Sequence, residues 1–291
     1  MNTENNTKRK TLREKVLERI QQMCLMDDDF MSVVLQHKEC MELVLKIILG
    51  RNDLKVLECK SQYAITSLSG RSVRLDVLAE DSEGKKYDLE VQRLDSGAQP
   101  RRARYNSSLM DAEFLAKSDD VSSLPESYVI FITENDVLKG NEPIYTIERT
   151  IAETGGLFND GTHIIYVNSQ IQDESTLGRL MRDFHCVDPE KMSYEALSEH
   201  SGYYKNGEGV RNMCKLVEDL VREEREEGRE EGRAEGREEG RAEGRAQGLE
   251  EKSEAIALKL LSMKTLSLEE ISEATGLSVE RVKELSQQHI A

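Results

Sequence analysis

The sequence predicts a mixed α/β domain followed by a charged helical segment and a small helical tail. Short apolar, β-rich runs alternate with segments whose apolar residues recur at helical spacing, a pattern typical of an α/β domain. A low-complexity run at 222–249 separates that domain from the tail. We expect an N-terminal helical extension (1–27), the α/β domain (28–205), a helical linker (206–249) and the tail (250–291).

The predicted α/β domain contains a helix, three strands, a second helix and then short strands. The first helix spans 38–49, the first strand spans 54–65, and the second helix spans 99–117. The apolar runs at 128–133 and 163–168 give short strands. Because short apolar strands suit a sheet that is covered on both faces, we expect both faces to be buried.

The second and third strands form a predicted β-hairpin at 74–93, with the sequence RLDVLAEDSEGKKYDLEVQR. Its centre, Asp-Ser-Glu-Gly-Lys, supplies the turn chemistry, and Gly84 can take a positive φ. Alternate side chains share one face of a strand. Asp76 of the first strand and Glu90 and Gln92 of the second therefore belong to a polar face.

That polar face has two interpretations. Mg²⁺ prefers carboxylate and water oxygens and uses only one or two protein carboxylates, so Asp76 and Glu90 could bind such an ion. Gln92 could then orient a water molecule. The bound metal and this water would together give metal-assisted hydrolysis of a phosphodiester. The alternative is the ordinary solvated face of a hairpin, because an antiparallel strand often buries only one side.

The second predicted helix begins with an arginine-rich turn. Arg101 and Tyr105 lie one helical turn apart and share a face, on which they could contact a phosphate or brace the metal ligands. Arg102 and Arg104 add positive charge. The alternative for these two is a solvated position at the start of a helix that packs through its apolar residues.

Charge and composition limit the classes of function. The formal net charge of −16 argues against a broadly basic surface for nucleic acid. Residues 71–104, however, contain eight Lys/Arg against seven Asp/Glu, so this region can still accept phosphate. No apolar run reaches transmembrane length and the N-terminus lacks a signal-peptide core, so we expect a cytoplasmic protein with no membrane partner.

The five cysteines and five histidines are scattered, without the spacing of a zinc site. His185 and Cys186 are adjacent, but two ligands without a second pair are weak evidence of a metal site. We therefore expect reduced thiols and no structural zinc.

The run at 222–249 repeats arginine and glycine every four residues among glutamates. Each glycine costs a helix about 1 kcal/mol relative to alanine, while a Glu–Arg pair returns only about 0.2–0.5 kcal/mol. An isolated helix would therefore be marginal, and no apolar stripe is present for a coiled coil. We interpret this run as a charged spacer.

The tail sequence LSLEEISEATGLSVERVKEL predicts a helix-turn-helix-like unit. Ser267 and Glu270 form a capping box, and Gly276 ends the first helix. Arg281 and Lys283 would be exposed, with neighbouring glutamates offsetting their charge. The predicted core consists of five apolar residues: Ile271, Ala274, Leu277, Val282 and Leu285. Such a tail could bind DNA, a protein partner or a second copy of the chain, and the sequence leaves these open.

Several blocks of the α/β domain resemble a known family, the PD-(D/E)XK nuclease family transposases, also called recombination-promoting nucleases. The resemblance covers residues 29–205, and its blocks follow one another along the chain in the same order as in the family. They are RLDVLAEDSEGKKYDLEVQ, RRARYNSSL, PESYVIFITENDVL, GLFNDGTHIIYVN and LMRDFHCVDPEKMSYEAL. The resemblance implies a restriction-endonuclease-like αβββαβ core. It also implies a DNA endonuclease that depends on Mg²⁺ (or Mn²⁺), with DNA as its partner.

By position, the resemblance makes Asp76 and Glu90 the metal-binding and catalytic carboxylates. Gln92 stands where the family usually has a catalytic lysine, although Glu-x-Gln resembles a variant common in this subgroup. Arginine followed four residues later by tyrosine, here Arg101 and Tyr105, also fits the family pattern.

Two further expectations come from the resemblance. Some members of the wider nuclease superfamily take an acidic ligand from the preceding helix, for which Glu42 is a candidate; a surface or capping role is the alternative. Because Gln92 lacks the positive charge of lysine, the alternative function is a non-catalytic nuclease-fold module that binds DNA or protein.

Overall fold

The computed structural model describes residues 12–66, 71–263 and 265–288. The chain divides into two compact units, Met1–Glu218 and Asp219–Ala291. The four-part organisation expected from the sequence stays a prediction. None of the described helices is long and apolar enough to cross a membrane.

The first unit is built around one six-stranded sheet. Its strands are β1 (Val56–Ile65), β2 (Val73–Asp81), β3 (Lys86–Gln92), β4 (Ser127–Thr133), β5 (Ile144–Ile147) and β6 (Thr162–Asn168). They lie in the order β1-β2-β3-β4-β6-β5. Strand β4 pairs in parallel with β3 and β6, and the other pairs are antiparallel. The sheet is therefore mostly antiparallel.

The described part of the first unit also contains six complete α-helices, of which the second, third and fourth contact the sheet. They are α1 (Leu12–Gln22), α2 (Asp28–Leu35), α3 (Lys38–Leu49), α4 (Pro100–Phe114), α5 (Thr176–His185) and α6 (Glu195–Asn206). The elements α3, β1, β2, β3, α4 and β4 give the predicted order of helix, three strands, helix and strand. Helix α4 ends before residue 117 because Leu115 has an extended backbone, with φ −107° and ψ 108°.

Several elements of the first unit were not assigned from the sequence. Strand β5 pairs with β6 at the sheet edge, and its four residues are only half-buried or exposed, so they give no clear apolar pattern. Helix α2 is short and lies just before the helix that the apolar stripe identified. The sequence therefore indicated the central elements of the sheet better than its edge.

The hairpin between β2 and β3 has the predicted turn. Gly84 has a φ of +80°. The backbone N–H groups of Glu83 and Lys85 donate to Oδ1 of Asp81 at 2.8 and 3.0 Å, and Tyr87 Oη donates to its Oδ2 at 2.6 Å. These bonds stabilise the turn, and with it the register between the two strands.

The central strand β4 is buried on both faces, as the sequence predicted. Val129 and Phe131 pack in one cluster with Ala103 of α4. Ile130 and Ile132 point to the opposite face by strand alternation and are also fully buried. Side chains on β3, which pairs with β4, are therefore withdrawn from water on the α4 side as well.

The charged repeat lies within helix α7 (Val210–Met263), which contains it without a break. A Cβ atom added at five of its glycines would meet nothing within 4 Å: Gly232, Gly236, Gly240, Gly244 and Gly248. Among the described residues, these glycines therefore make no close packing contact.

The second unit ends with helices α8 (Leu268–Thr275) and α9 (Val279–Gln288). The capping box and the left-handed Gly276, with φ 72°, are confirmed. Ile271, Val282 and Leu285 form the small core together with Ala257 of α7. The prediction that Ala274 belongs to this core is wrong, since it is exposed. Its side chain is rotated by about 60° from that of Ile271 around the helix axis.

Candidate active site

Strands β2 and β3 bring three carboxylates together on the side of the sheet that α4 covers. Asp76 is 8% exposed, and Asp88 and Glu90 are fully buried. The backbone N–H of Val91 donates to Oδ2 of Asp76 at 3.2 Å, which ties the β2 side chain to β3 beside Glu90. The solvated-face interpretation of this hairpin is therefore wrong for these three residues.

Helix α4 places two polar side chains against the carboxylates. Arg102 Nη2 donates to Oε2 of Glu90 at 2.9 Å. Asn106 Nδ2 donates to Oδ2 of Asp88 at 3.1 Å and to Oε1 of Glu90 at 3.4 Å. Residues four apart share a helix face. Arg102 and Asn106 therefore contact the carboxylates from the same side of α4.

The Gln92 side chain lies next to Glu90. Its Nε2 donates to Oε2 of Glu90 at 3.3 Å. Gly97 makes room for it: a Cβ atom at residue 97 would lie 1.7 Å from Oε1 of Gln92. The position of this amide therefore depends on a glycine in the following turn.

Burial raises the pKa of all three carboxyl groups. For Asp76, burial and then the charges of Glu90 and Asp28 raise the pKa to about 8. For Asp88, burial and the charge of Glu90 raise the pKa well above its ordinary value. Burial also raises the pKa of Glu90, against the opposing effect of the Arg102 charge. Each group would hold its charge more readily with an additional cation nearby.

The donor set fits a hard divalent cation. Oδ1 of Asp88 and Oδ1 of Asn106 are buried and have no hydrogen-bond partner among the described residues. Buried charges and polar atoms are unfavourable unless they are paired. Clustered carboxylate oxygens are the ligands that Mg²⁺ and Mn²⁺ prefer. Asp76 and Glu90 are thus the residues that would hold such an ion, and Asp88 lies two residues before Glu90 on the same strand.

An arginine-lined pocket lies next to the carboxylates. Tyr105 Oη donates to the backbone carbonyl of Arg71 on its rim. Arg101 and Tyr105 line this pocket, and no hydrogen bond joins either of them to the three carboxylates within the described residues. The pocket's polar lining includes Arg71, Arg74, Gln99, Arg101, Arg102, Tyr105 and Asn106.

Glu42 lies in a different environment from the one that a metal ligand requires. Its Oε1 accepts from Lys46 Nζ at 2.7 Å, and its Oε2 accepts from the backbone N–H of Val56 at 3.0 Å. Oε1 therefore pairs within α3, whereas Oε2 joins α3 to the start of β1. The interpretation of Glu42 as a ligand is not supported by these contacts.

The acidic residue of a preceding helix that acts on the site is Asp28, in the first turn of α2. Its charge raises the pKa of Asp76 and of Glu90, and it lines a pocket together with Gln92. Sequence reasoning missed it because α2 was not assigned. The signal was present as the acidic run at 27–29 before an apolar helix.

The fold and site define an α/β protein with buried carboxylates on two neighbouring strands of its sheet. Residues 36–176 match the family model of the PD-(D/E)XK nuclease family transposase. The six-stranded, mostly antiparallel sheet with its helices is consistent with the PD-(D/E)XK nuclease fold. The resemblance noted in the sequence is thereby confirmed.

The match includes every residue proposed for the site from the sequence, whereas Asp28 and the second unit lie outside it. Comparisons with curated proteins and with solved structures gave no match. The roles of individual residues in this chain therefore depend on the site's own geometry.

Proposed function

We propose that this chain is a metal-dependent DNA endonuclease that hydrolyses phosphodiester bonds. The observation that carries this proposal is the buried cluster of Asp76, Asp88 and Glu90, which leaves a carboxylate oxygen without a partner among the described residues. Burying such a cluster in its charged form is costly, and a bound cation would offset that charge. The match of residues 36–176 to a nuclease family model supports a phosphodiester as the substrate.

In this proposal Asp76 and Glu90 bind Mg²⁺ (or Mn²⁺), and the charge of the bound ion also offsets that of the nearby Asp88. When bound, the ion would polarise a phosphoryl oxygen and lower the pKa of a water molecule. Gln92 is next to Glu90 and has both a donor and an acceptor, so it can orient a water molecule by hydrogen bonds. It cannot provide the charge of a lysine.

Arg102 is the residue that can provide that charge. Its guanidinium contacts Glu90 directly, and 42% of its side chain is exposed towards the pocket where a phosphate would enter. Arginine binds phosphate through two parallel hydrogen bonds. We therefore assign to Arg102 the stabilisation of developing negative charge, which the sequence pattern had attributed to the Gln92 position.

The arginine-lined pocket is proposed to bind the DNA backbone. Arg71, Arg74 and Arg101 line it, and Tyr105 holds the Arg71 backbone by a hydrogen bond. Phosphate contacts fix the position of DNA without reading its sequence. We accordingly expect weak sequence preference in this unit. Transposition would require end recognition and strand transfer in addition, so the proposal stops at cleavage.

The test is cleavage of supercoiled and linear DNA by the purified full chain with Mg²⁺ or Mn²⁺. Asp76→Ala and Glu90→Ala should each lower the rate by about 10³-fold or more, because an ion's contribution to the transition state is several kcal/mol. EDTA should abolish cleavage. Glu83→Ala is the matched control, since Glu83 is a carboxylate of the same hairpin with 51% of its side chain exposed.

The alternative is a non-catalytic module that binds DNA or protein, and the specific observation that favours it is the glutamine at residue 92. DNA binding measured in Ca²⁺ by electrophoretic mobility shift would distinguish the two. Binding without cleavage by wild type, or equal cleavage by wild type and both carboxylate variants, would replace the nuclease proposal with the binding module. Circular dichroism of each variant would identify a loss of fold.

A further inference from the structure

Three metal-ligating side chains meet at a second place in the first unit, between α3 and α6. One ring nitrogen each from His37 and His200 and one carboxylate oxygen of Glu39 all lie within 4.8 Å of one another. His200 Nε2 is 2.7 Å from Oε1 of Glu39, and the two imidazole rings stack with their centroids 3.9 Å apart. Two imidazoles and a carboxylate are a common ligand set for zinc.

The framework that carries these side chains is fixed by other contacts. His37 is the N-cap residue of α3, and Glu39 lies in its first turn. Cys40, also in α3, is buried and donates its thiol to the carbonyl of Ala196 in α6 at 3.3 Å. The Tyr204 hydroxyl of α6 is hydrogen-bonded to Nε2 of His37 at 3.0 Å. The ligands therefore project from two helices that are already held together.

To surround an ion, the stacked rings of His37 and His200 must tilt so that one nitrogen of each points at it. With Zn–N and Zn–O distances of about 2.0–2.1 Å, ligand atoms in a tetrahedral site lie roughly 3.3 Å apart. The Glu39 side chain is 58% exposed and can move to that distance by changing its rotamer. An open cleft beside the pair, lined by Glu199, Tyr203 and Asn212 among others, gives an ion access from solvent.

We propose that His37, Glu39 and His200 form a binding site for a divalent transition metal of the Zn²⁺ type, with a fourth position left to water. The site differs in chemistry from the carboxylate cluster, because imidazole nitrogen suits Zn²⁺ and Co²⁺ whereas an all-oxygen set suits Mg²⁺ and Mn²⁺. Neither site depends on the other. The proposal also differs from the expectation of no zinc, which was based on spacing along the sequence.

The experiment uses the full chain, purified without a histidine tag and freed of metal with EDTA that is then removed. Co²⁺ is titrated while its visible absorption is recorded, and Zn²⁺ affinity is measured in competition with a chromophoric chelator. We expect one site with tetrahedral Co²⁺ absorption that excess Mg²⁺ does not displace. His37→Gln and His200→Gln should each lower the affinity by about 100-fold or more, since loss of an outer-shell partner alone costs about 10–100-fold.

His163→Gln is the matched control, and it should bind as wild type does. His163 also lies between two carboxylates, but Glu148 and Glu126 contact its opposite ring nitrogens at 2.6 and 3.1 Å, so one ion cannot use all three groups. Asp76→Ala should likewise keep the site, which separates this result from that of the nuclease proposal.

Thermal unfolding gives a second readout. Zn²⁺ should raise the Tm of wild type and of Asp76→Ala, but not that of His200→Gln, because an ion stabilises only a folded state that binds it. The proposal is overturned if wild type does not bind Co²⁺ or Zn²⁺, if binding survives in both histidine variants, or if Asp76→Ala removes it.

Discussion

Each of the two units contains an arginine–glutamate pair, and the pairs differ mainly in the burial of the acid. Arg102 Nη2 lies 2.9 Å from Oε2 of Glu90, and Arg281 Nη2 lies 2.6 Å from Oε1 of Glu254. The two arginine side chains are almost equally accessible, at 42% and 40%. Glu90 is fully buried, however, whereas Glu254 is 23% exposed.

This difference decides what each pair can do. Water solvates much of the second pair, so such a surface ion pair contributes little to stability. In the first pair, Arg102 offsets the charge of a carboxylate that shares its buried surroundings with Asp76 and Asp88. Removing one partner of a buried pair leaves a charge that water cannot reach. The same residue types therefore form a candidate site in one unit and a solvated contact in the other.

The largest difference between the pairs is expected in catalysis. If the chain cleaves DNA as proposed, Arg102→Ala should lower the cleavage rate by about 100-fold, because it removes a donor aimed at developing charge. Arg281→Ala should leave the rate within about twofold and the Tm within about 2 °C. Equal rates for both variants would contradict the role of Arg102, and a large loss with Arg281→Ala would indicate that the tail binds DNA.

A double-mutant cycle tests whether Arg102 replaces the family's lysine. Gln92→Lys alone should change the rate by less than about tenfold, because Glu90 already has a positive partner. In the Arg102→Ala background the same change should restore about tenfold or more of the lost rate, since the new ammonium would lie near Glu90. Additive effects in the cycle would show that the two positions act independently.

The buried cluster should also make stability depend on pH. The folded-state pKa of Asp76, about 8, is above its ordinary value of 3.8. The folded chain therefore keeps a proton that the unfolded chain releases, and the free energy of unfolding falls as the pH rises towards 8. Even one pKa unit is worth about 1.4 kcal/mol, or about 3–6 °C in Tm.

Melting curves between pH 5 and 9 in EDTA measure this effect. Asp76→Asn keeps an acceptor for the Val91 N–H but has no titrating group, so its Tm should fall less with pH than that of wild type. Mg²⁺ should raise the wild-type Tm more at high pH than at low pH, since the ion competes with protons for the carboxylates. Parallel curves for wild type and Asp76→Asn would contradict the assignment.

The smallest effects come from two glycines in the two units. Gly97→Ala places a Cβ atom against Gln92, whose amide must then move, and we expect a few-fold loss of cleavage. Gly236→Ala meets nothing within 4 Å and should stabilise the helix by about 1 kcal/mol without changing cleavage. Circular dichroism at 222 nm and the cleavage assay measure the two outcomes. A loss of cleavage with Gly236→Ala would imply a contact that forms outside this chain.

Patterns of short range were enough to predict most of the central sheet. The alternation in β2 and β3, the turn at Gly84 and the capping box at Ser267 all depend on residues within a few positions of one another. The family resemblance depends on similar local blocks. These features could be found from the sequence because the hydrogen bonds and side-chain periods that produce them are local.

Such local patterns could not predict which face of α4 packs against the sheet. Arg101 and Arg102 are neighbours in an arginine-rich turn, and adjacent helical side chains are about 100° apart around the axis. Which of them meets Glu90 depends on how α4 packs through Ala103 and Met110 against the sheet. The sequence favoured Arg101, whereas the structure places Arg102 on the carboxylate.

By itself, then, the sequence indicated the resemblance to a nuclease family, which depends on local blocks of residues. It also determined the hairpin and the acidic residues that the hairpin presents, because these follow from local periodicity and turn chemistry. Tertiary structure alone decided that Asp76, Asp88 and Glu90 are buried, that Asp28 acts on them, and that His200 lies 2.7 Å from Glu39 across 161 positions of sequence. Burial and long-range proximity are properties of packing between elements, and no local pattern encodes which faces will meet.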